Sequence, residues 1–441
     1  MKKTIFDGVV ASDKDNKASS LLLNHDGMLP IVELSLENVT YTPITSSISG
    51  KGKDVNRTTV LSNISTTIAP YKLTAWMGPS GSGKTSLVSV VAGLVDPSDI
   101  SSGIMKVNGG EGRLPKKMVG VVWQDDLLLS NLTVEETIYF AARLKSLDGA
   151  SEEDVKMLVE ETMTELGLLH IRNNLIGSPL GNMSGISGGE RKRTAVAAEL
   201  VIRPSLLLLD EPTSGLDATT ARALIKTLKK LAELGHSVSV VIHQPRTSIF
   251  KMVDNLLLLS KGRMVYDGPA ASVRNFLETF PTVDPLPPET GIADWISDTI
   301  IADETRQDDS VLAENWTKYS KNGLLGKSDH NKDPTRSDGA KMSTLANLNQ
   351  TTSKFEASFS TQLRLLTQRT VKQRRMEKIT KVSILLTLTY LVFTALFWWR
   401  LPNTTAYIFE RNSLLFFILI AQVRHANNTG GLSVSFLLAV F

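Results

Sequence analysis

The sequence predicts an α/β domain followed by an amphipathic helix and the beginning of an all-α segment, on three observations. Short β-rich runs alternate with longer helical stretches from Val60 to about Ile300, the pattern of a sheet flanked by helices. The run "KLTAWM" leads straight into the glycine-rich "GPSGSGKT" of Gly78 to Thr85. Residues Val382 to Trp399, "VSILLTLTYLVFTALFWW", form an uncharged run of 18.

Composition narrows the classes. With 48 basic and 45 acidic side chains the 441-residue chain carries a net charge of +3, too balanced for a surface that coats nucleic acid, so no nucleic-acid partner is expected. The absence of cysteine excludes disulfides, thiol nucleophiles and thiolate metal sites, and it fits cytosolic exposure. The opening "MKKTIFDGVVASDKDNK" has lysines but no apolar run, because Asp7, Asp13 and Asp15 intervene. Residues 1–30 read as a disordered cytosolic tail.

The globular part spans 31–300. "IVELSLENVTYT" alternates like a strand, "SSISGKGKDVNR" reads as a flexible insertion, and "KLTAWMG", "KMVGVVWQ", "PSLLLLD" and "SVSVVIHQ" are further strands. Residues 301–353, rich in Asp, Asn, Ser, Thr, Lys and Gly, read as a flexible linker. Over 354–378, Phe355, Phe359, Leu363 and Leu366 fall on one helical face, and Lys372, Arg374, Arg375, Lys378 and Lys381 follow. Such a helix packs in a bundle or lies on a membrane surface; its place before an apolar run favours the surface and makes membrane lipid a partner. The run 382–399 approaches the ~20 residues a spanning helix needs, and the basic cluster before it puts the N-terminal domain on the cytoplasmic side. A second apolar piece, 413–422, is cut short by Arg424, His425, Asn427 and Asn428, so 379–441 reads as a partial transmembrane domain.

The chemistry sits in three motifs. In Gly78, Pro79, Ser80, Gly81, Ser82, Gly83, Lys84 and Thr85, followed by Ser86, glycines let backbone N–H groups close around phosphates. Lys84 reaches the β and γ phosphates and Thr85 ligates Mg²⁺. "LLLLDEP" ends a buried strand in two carboxylates, Asp210 for the metal and Glu211 to polarise a water. Such a pair alone is usually a cap or turn; after a phosphate loop the catalytic role prevails. "GISGGERKR" makes a second anion nest from Ser187, Gly188 and Gly189 at a helix start, redundant unless it closes over a nucleotide held by another copy.

Phosphate loop, Gln124 in "VVWQDD", "ISGGE", "LLLLDEP", "SGLD" and "VIHQP", in that order, resemble the ATP-binding cassette (ABC) family. "GGERKR" and "DEPTSGLD" resemble its G subfamily of white-type half-transporters. The resemblance runs from about Val60 to Phe280 and resumes in "FSTQLRLLTQR", which looks like the connecting helix. It implies a P-loop ABC nucleotide-binding domain and an ATPase coupled to export. The dimer, with a second half-transporter, would sandwich ATP and Mg²⁺ between the Gly78 to Lys84 loop of one chain and Ser187, Gly188, Gly189 and Glu190 of the other. By the same carry-over Gln124 senses Mg²⁺, Asp217 lies at the seam, and His243 contacts the γ-phosphate. Tyr41 is the candidate to stack on adenine, although it sits 37 positions before Gly78. At Gly291, "GIADWIS" keeps Asp294 of the family's Asn-Pro-Ala-Asp stretch and lacks its Asn-Pro turn.

The resemblance implies further spans, and it stops near Val423, so the end from Val423 reads as translated intron or a frame error. Two rivals stand beside the exporter: a soluble cassette protein, against which the 382–399 run argues, and a regulatory form that occupies one half of a dimer. The transported substrate is not legible.

Overall fold

In the computed structural model, the structure describes residues 30–49, 52–145, 151–178, 185–306, 311–321, 357–376 and 381–397, with 409, 412–414 and 416. The chain divides into two units, Met1–Arg369 and Thr370–Phe441.

The first unit is built on a six-stranded sheet in the order β12-β11-β5-β10-β9-β8. Its strands are β5 (Leu73–Met77), β8 (Val119–Val122), β9 (Leu206–Asp210), β10 (Ser237–Val241), β11 (Asn255–Ser260) and β12 (Arg263–Pro269). β8, β9, β10, β5 and β11 run parallel, and β12 closes the edge antiparallel to β11. Every residue of β5, β9 and β10 is buried, which explains why they read as unbroken apolar runs. Register pairs Trp76 with Val241 and Val241 with Asp210, so the carboxyl ends of the three strands line up where ligands bind in open α/β sheets.

A second, antiparallel sheet has the order β4-β1-β6-β7, from β1 (Leu34–Tyr41), β4 (Leu61–Ile68), β6 (Ile100–Val107) and β7 (Gly110–Glu111). The expected flexible insertion is instead a hairpin, β2 (Ile44–Ser49) with β3 (Gly52–Arg57), paired in register from Ile44↔Arg57 to Ser49↔Gly52. Its backbone pairing needs no apolar signal, so Ser, Gly and Lys composition did not reveal it. The sheets are flanked by α1 (Lys84–Val91), α2 (Val134–Lys145), α3 (Glu152–Glu165), α4 (Gly188–Leu200), α5 (Ala218–Glu233), α6 (Thr247–Phe250) and α7 (Val273–Leu277). α5 shows how sequence fixes position: Ala221, Leu224, Ile225, Leu228, Leu231 and Ala232 form its buried stripe, and Asp217 caps its start.

The domain does not stop at residue 300. α8 (Ile292–Arg306) runs across that boundary, and α9 (Val311–Lys321) lies inside the stretch expected to be linker. Leu312, Ala313 and Trp316 are buried, and the Trp316 ring centre lies 5.5 Å from Tyr266 and 5.4 Å from Phe276. The polar residues between them hid a helical spacing of apolar ones. Trp316→Ala should destabilise the domain by about 3–5 kcal/mol, as for other buried aromatics, read as a lower denaturation midpoint. An unchanged midpoint would remove α9 from the core. The rest of the expected linker, 322–353, lies outside the described residues.

α10 (Phe359–Met376) forms where the amphipathic helix was expected. Phe359, Leu363 and Leu366 are exposed, while Leu365 is the side chain that packs, against Leu132 and Phe140. Phe355 lies outside the described residues. In the second unit the 17-residue helix α11 (Lys381–Phe397) overlaps the predicted span from residue 382 to 397, and its Leu385, Leu388, Val392, Phe393 and Leu396 are exposed. Among the described residues no helix is long and apolar enough to cross a membrane. Trp398, Trp399 and residues 417–422 of the second apolar piece lie outside them.

Candidate nucleotide site

β5 ends at Met77 and the chain turns through Gly78 to Gly83 into α1. A Cβ at Gly78 would collide with the Leu259 carbonyl, and one at Gly83, whose φ is 97°, would stand 2.7 Å from Leu61 Cδ2. Only glycine lets the loop sit this close to β11 and β4. Gly262 N–H donates to Ser82 O at 3.1 Å, so the turn between β11 and β12 braces the loop from behind. Lys84 Nζ donates to Gly78 O (2.9 Å), Pro79 O (2.7 Å) and Ser82 Oγ (3.4 Å), spanning the loop it belongs to. Burial lowers the Lys84 pKa, against the opposing pull of Glu211, Asp210 and Glu304.

Thr85 Oγ1 donates to Asp210 Oδ2 at 2.8 Å, joining the first turn of α1 to the end of β9. Beside it Gln124 Nε2 donates to Glu211 Oε2 at 3.1 Å. Glu211 has φ 45°, a left-handed conformation unusual for a residue with a side chain, held by its N–H to Val241 O (3.1 Å) and by Ser214 N–H on its carbonyl (3.0 Å). A hydroxyl and a carboxylate side by side, with an amide within reach, form a hard oxygen donor set suited to Mg²⁺. Among the described residues no group of three or more His, Cys, Asp or Glu is placed to hold a metal. His243 is exposed just past β10, next to the strand whose end carries Asp210 and Glu211. Tyr41 ends β1 opposite Leu61, the side chain that covers Gly83, and accepts Val60 N–H at 2.9 Å. The inserted hairpin thus lengthens the sequence gap while leaving Tyr41 one strand from the phosphate loop.

Ser187, Gly188, Gly189 and Glu190 form a separate group with Asp217. Ser187 caps α4 in a capping box: Glu190 N–H donates to Ser187 Oγ at 3.3 Å, and Ser187 N–H and Oγ–H donate to Glu190 Oε2 at 2.8 and 2.7 Å. Those donations, the hydroxyl's first, hold the Glu190 carboxyl below the usual carboxylate range. A Cβ on Gly189 would collide with Thr220, so the nest sits directly on the start of α5. There Asp217 accepts from Thr219 and Thr220 N–H at 3.0 Å each.

The ABC transporter family model matches residues 61–214. ABC transporter G family member 14 of Arabidopsis thaliana is 34% identical over 402 residues, covering 89% of this chain and 61% of that protein. G family member 21 of the same plant is 33% identical over 434 residues, covering 92% and 62%. The chain belongs to the G family of ABC transporters. Another G family protein, Arabidopsis member 7, is 42% identical over 234 residues. This G family chain spans about six tenths of the length of the long-matching relatives, 61% and 62%.

Two residues that brace this candidate site were not legible in the sequence. Glu304 of α8 accepts Ser260 Oγ–H at 2.7 Å, and its carbonyl accepts Lys261 Nζ at 3.1 Å, fixing the turn that braces the phosphate loop. Lys192 of α4 reaches back to the glutamine turn at Trp123 to Asp126. Glu304 lay in the stretch read as linker, and nothing local says which basic residue of "ERKR" turns inward.

Proposed function

We infer that the chain binds and hydrolyses Mg²⁺-ATP as one half of a dimer and powers export of a substrate across a membrane. The observation that carries this is the placement of Lys84 and the pairs Thr85–Asp210 and Gln124–Glu211 just past the carboxyl ends of β5, β8 and β9. Tyr41 stacks on adenine, the Gly78 to Ser86 loop and Lys84 take the phosphates, and Thr85, Asp210 and Gln124 hold the metal, which when bound neutralises phosphate charge. Glu211 polarises the attacking water and His243 contacts the γ-phosphate. The partner chain supplies Ser187, Gly188, Gly189 and Glu190, with Asp217 at the seam.

For membrane placement the support is α11, whose exposed apolar side chains need a non-aqueous neighbour, together with the basic α10 before it. The described helix is about 26 Å long against the ~30 Å of a bilayer core. The nucleotide domain then faces the cytoplasm.

A site shared between two chains predicts that ATP turnover per chain rises with chain concentration until dimerisation saturates. Phosphate release by the purified chain in detergent, measured over a dilution series, tests this. Turnover independent of concentration, or no turnover at any, would count against the shared site.

A further inference from the structure

Lys84 and Lys192 are the buried lysines among the described residues, and no motif assigns a task to the second. Lys192 sits in the second turn of α4 with its side chain 4% exposed. Its Nζ donates to Gln124 O at 2.9 Å and Trp123 O at 3.4 Å and pairs with Asp126 Oδ1 at 2.7 Å. The two carbonyls take hydrogen bonds from the ammonium, and the Asp126 carboxylate balances its charge at ion-pair distance. A buried charge stripped of its partners is costly, so the clasp resists opening and the glutamine turn must move with α4. The same Gln124 holds Glu211 through its carboxamide. The same helix carries the Ser187 nest at its start, and Arg191 beside Lys192 donates to Ile176 O and Gly177 O at 2.9 Å each, fastening the adjoining loop.

We propose that Lys192 is a positioning residue that ties Gln124 to the Ser187 nest, so that a shift of the glutamine turn at one ATP moves the nest that serves the other. The functional half of this rests on the shared-site reading above; the mechanical half does not. Hydrogen exchange on the full chain without nucleotide tests the clasp directly. In Lys192→Met, exchange should quicken in both 123–127 and 185–189, and Lys192→Arg, which keeps the cation, should restore both. Quickening spread evenly over the domain would show a merely structural lysine, and quickening in one segment alone would show that the clasp does not join them. Either overturns the proposal.

In turnover, Lys192→Met should lower kcat about tenfold or more with ATP affinity unchanged, as for other misplaced catalytic groups. Added to Gln124→Ala it should lower kcat no further, because both act through one amide. Losses that multiply overturn the link. Should Lys192→Met fail to fold, Asp126→Asn keeps the two carbonyl acceptors and is read by the same two measurements. A wild-type chain without turnover would overturn the shared ATP site, while the exchange pattern would still decide the clasp.

Discussion

Glu211→Gln is expected to abolish turnover and leave ATP bound. The substitution keeps shape: a glutamine side-chain oxygen can accept the Gln124 Nε2 hydrogen bond that Glu211 Oε2 accepts at 3.1 Å. The backbone bonds to Val241 O and from Ser214 N–H do not involve the side chain, so the left-handed turn at φ 45° persists. What disappears is the only change that matters to a water molecule, a carboxylate able to take its proton. Loss of a positioned general base costs on the order of 10²–10⁴ in rate. Phosphate release in single-turnover conditions should fall by that factor, while ATP binding stays near wild type and ATP gathers chains into a long-lived dimer visible by size. Turnover near wild type would remove Glu211 from the chemistry. Loss of binding along with turnover would make it a structural member of the site.

The parts of this site that sequence revealed are those where one residue type is dictated locally. Gly78 is forced by the Leu259 carbonyl and Gly83 by its φ of 97°, Asp210 and Glu211 stand at the end of a fully buried strand, and the Ser187–Glu190 capping box is a four-residue pattern. β5, β9 and β10 were legible because both faces are covered and the runs are continuous. What was hidden depends on distance along the chain. α9 reaches the core through Leu312, Ala313 and Trp316 scattered among polar residues, and composition outweighed spacing. The hairpin β2–β3 is held by backbone pairing that apolar patterning does not report. Lys192 and Glu304 act on loops 68 and 44 residues away in sequence, contacts that only the folded sheet brings together.

Lys84→Met separates the two tasks of the lysine, and the signs differ. Burial lowers the Lys84 pKa, with Glu211, Asp210 and Glu304 opposing. A lysine whose folded pKa lies below its unfolded one destabilises the fold while it is charged, and that penalty fades as pH rises through the lowered value. Removing the charge relieves this penalty at neutral pH. It also strips the hydrogen bonds on Gly78 O and Pro79 O, both on partly exposed residues where water can replace them, and the longer one on buried Ser82 Oγ. The two effects oppose, so the empty variant should melt within about 1 kcal/mol of wild type, and the rise of stability with alkaline pH should be weaker in it. With Mg²⁺-ATP the comparison reverses. Ligand at a hundredfold over its Kd stabilises wild type by about 2.7 kcal/mol, and at the same concentration the variant should gain nothing measurable. Thermal melts with and without Mg²⁺-ATP decide it: a full ATP shift in Lys84→Met would mean that the backbone loop alone holds the phosphates, and a collapse of the empty variant would mean that the lysine is there to build the loop rather than to read the nucleotide.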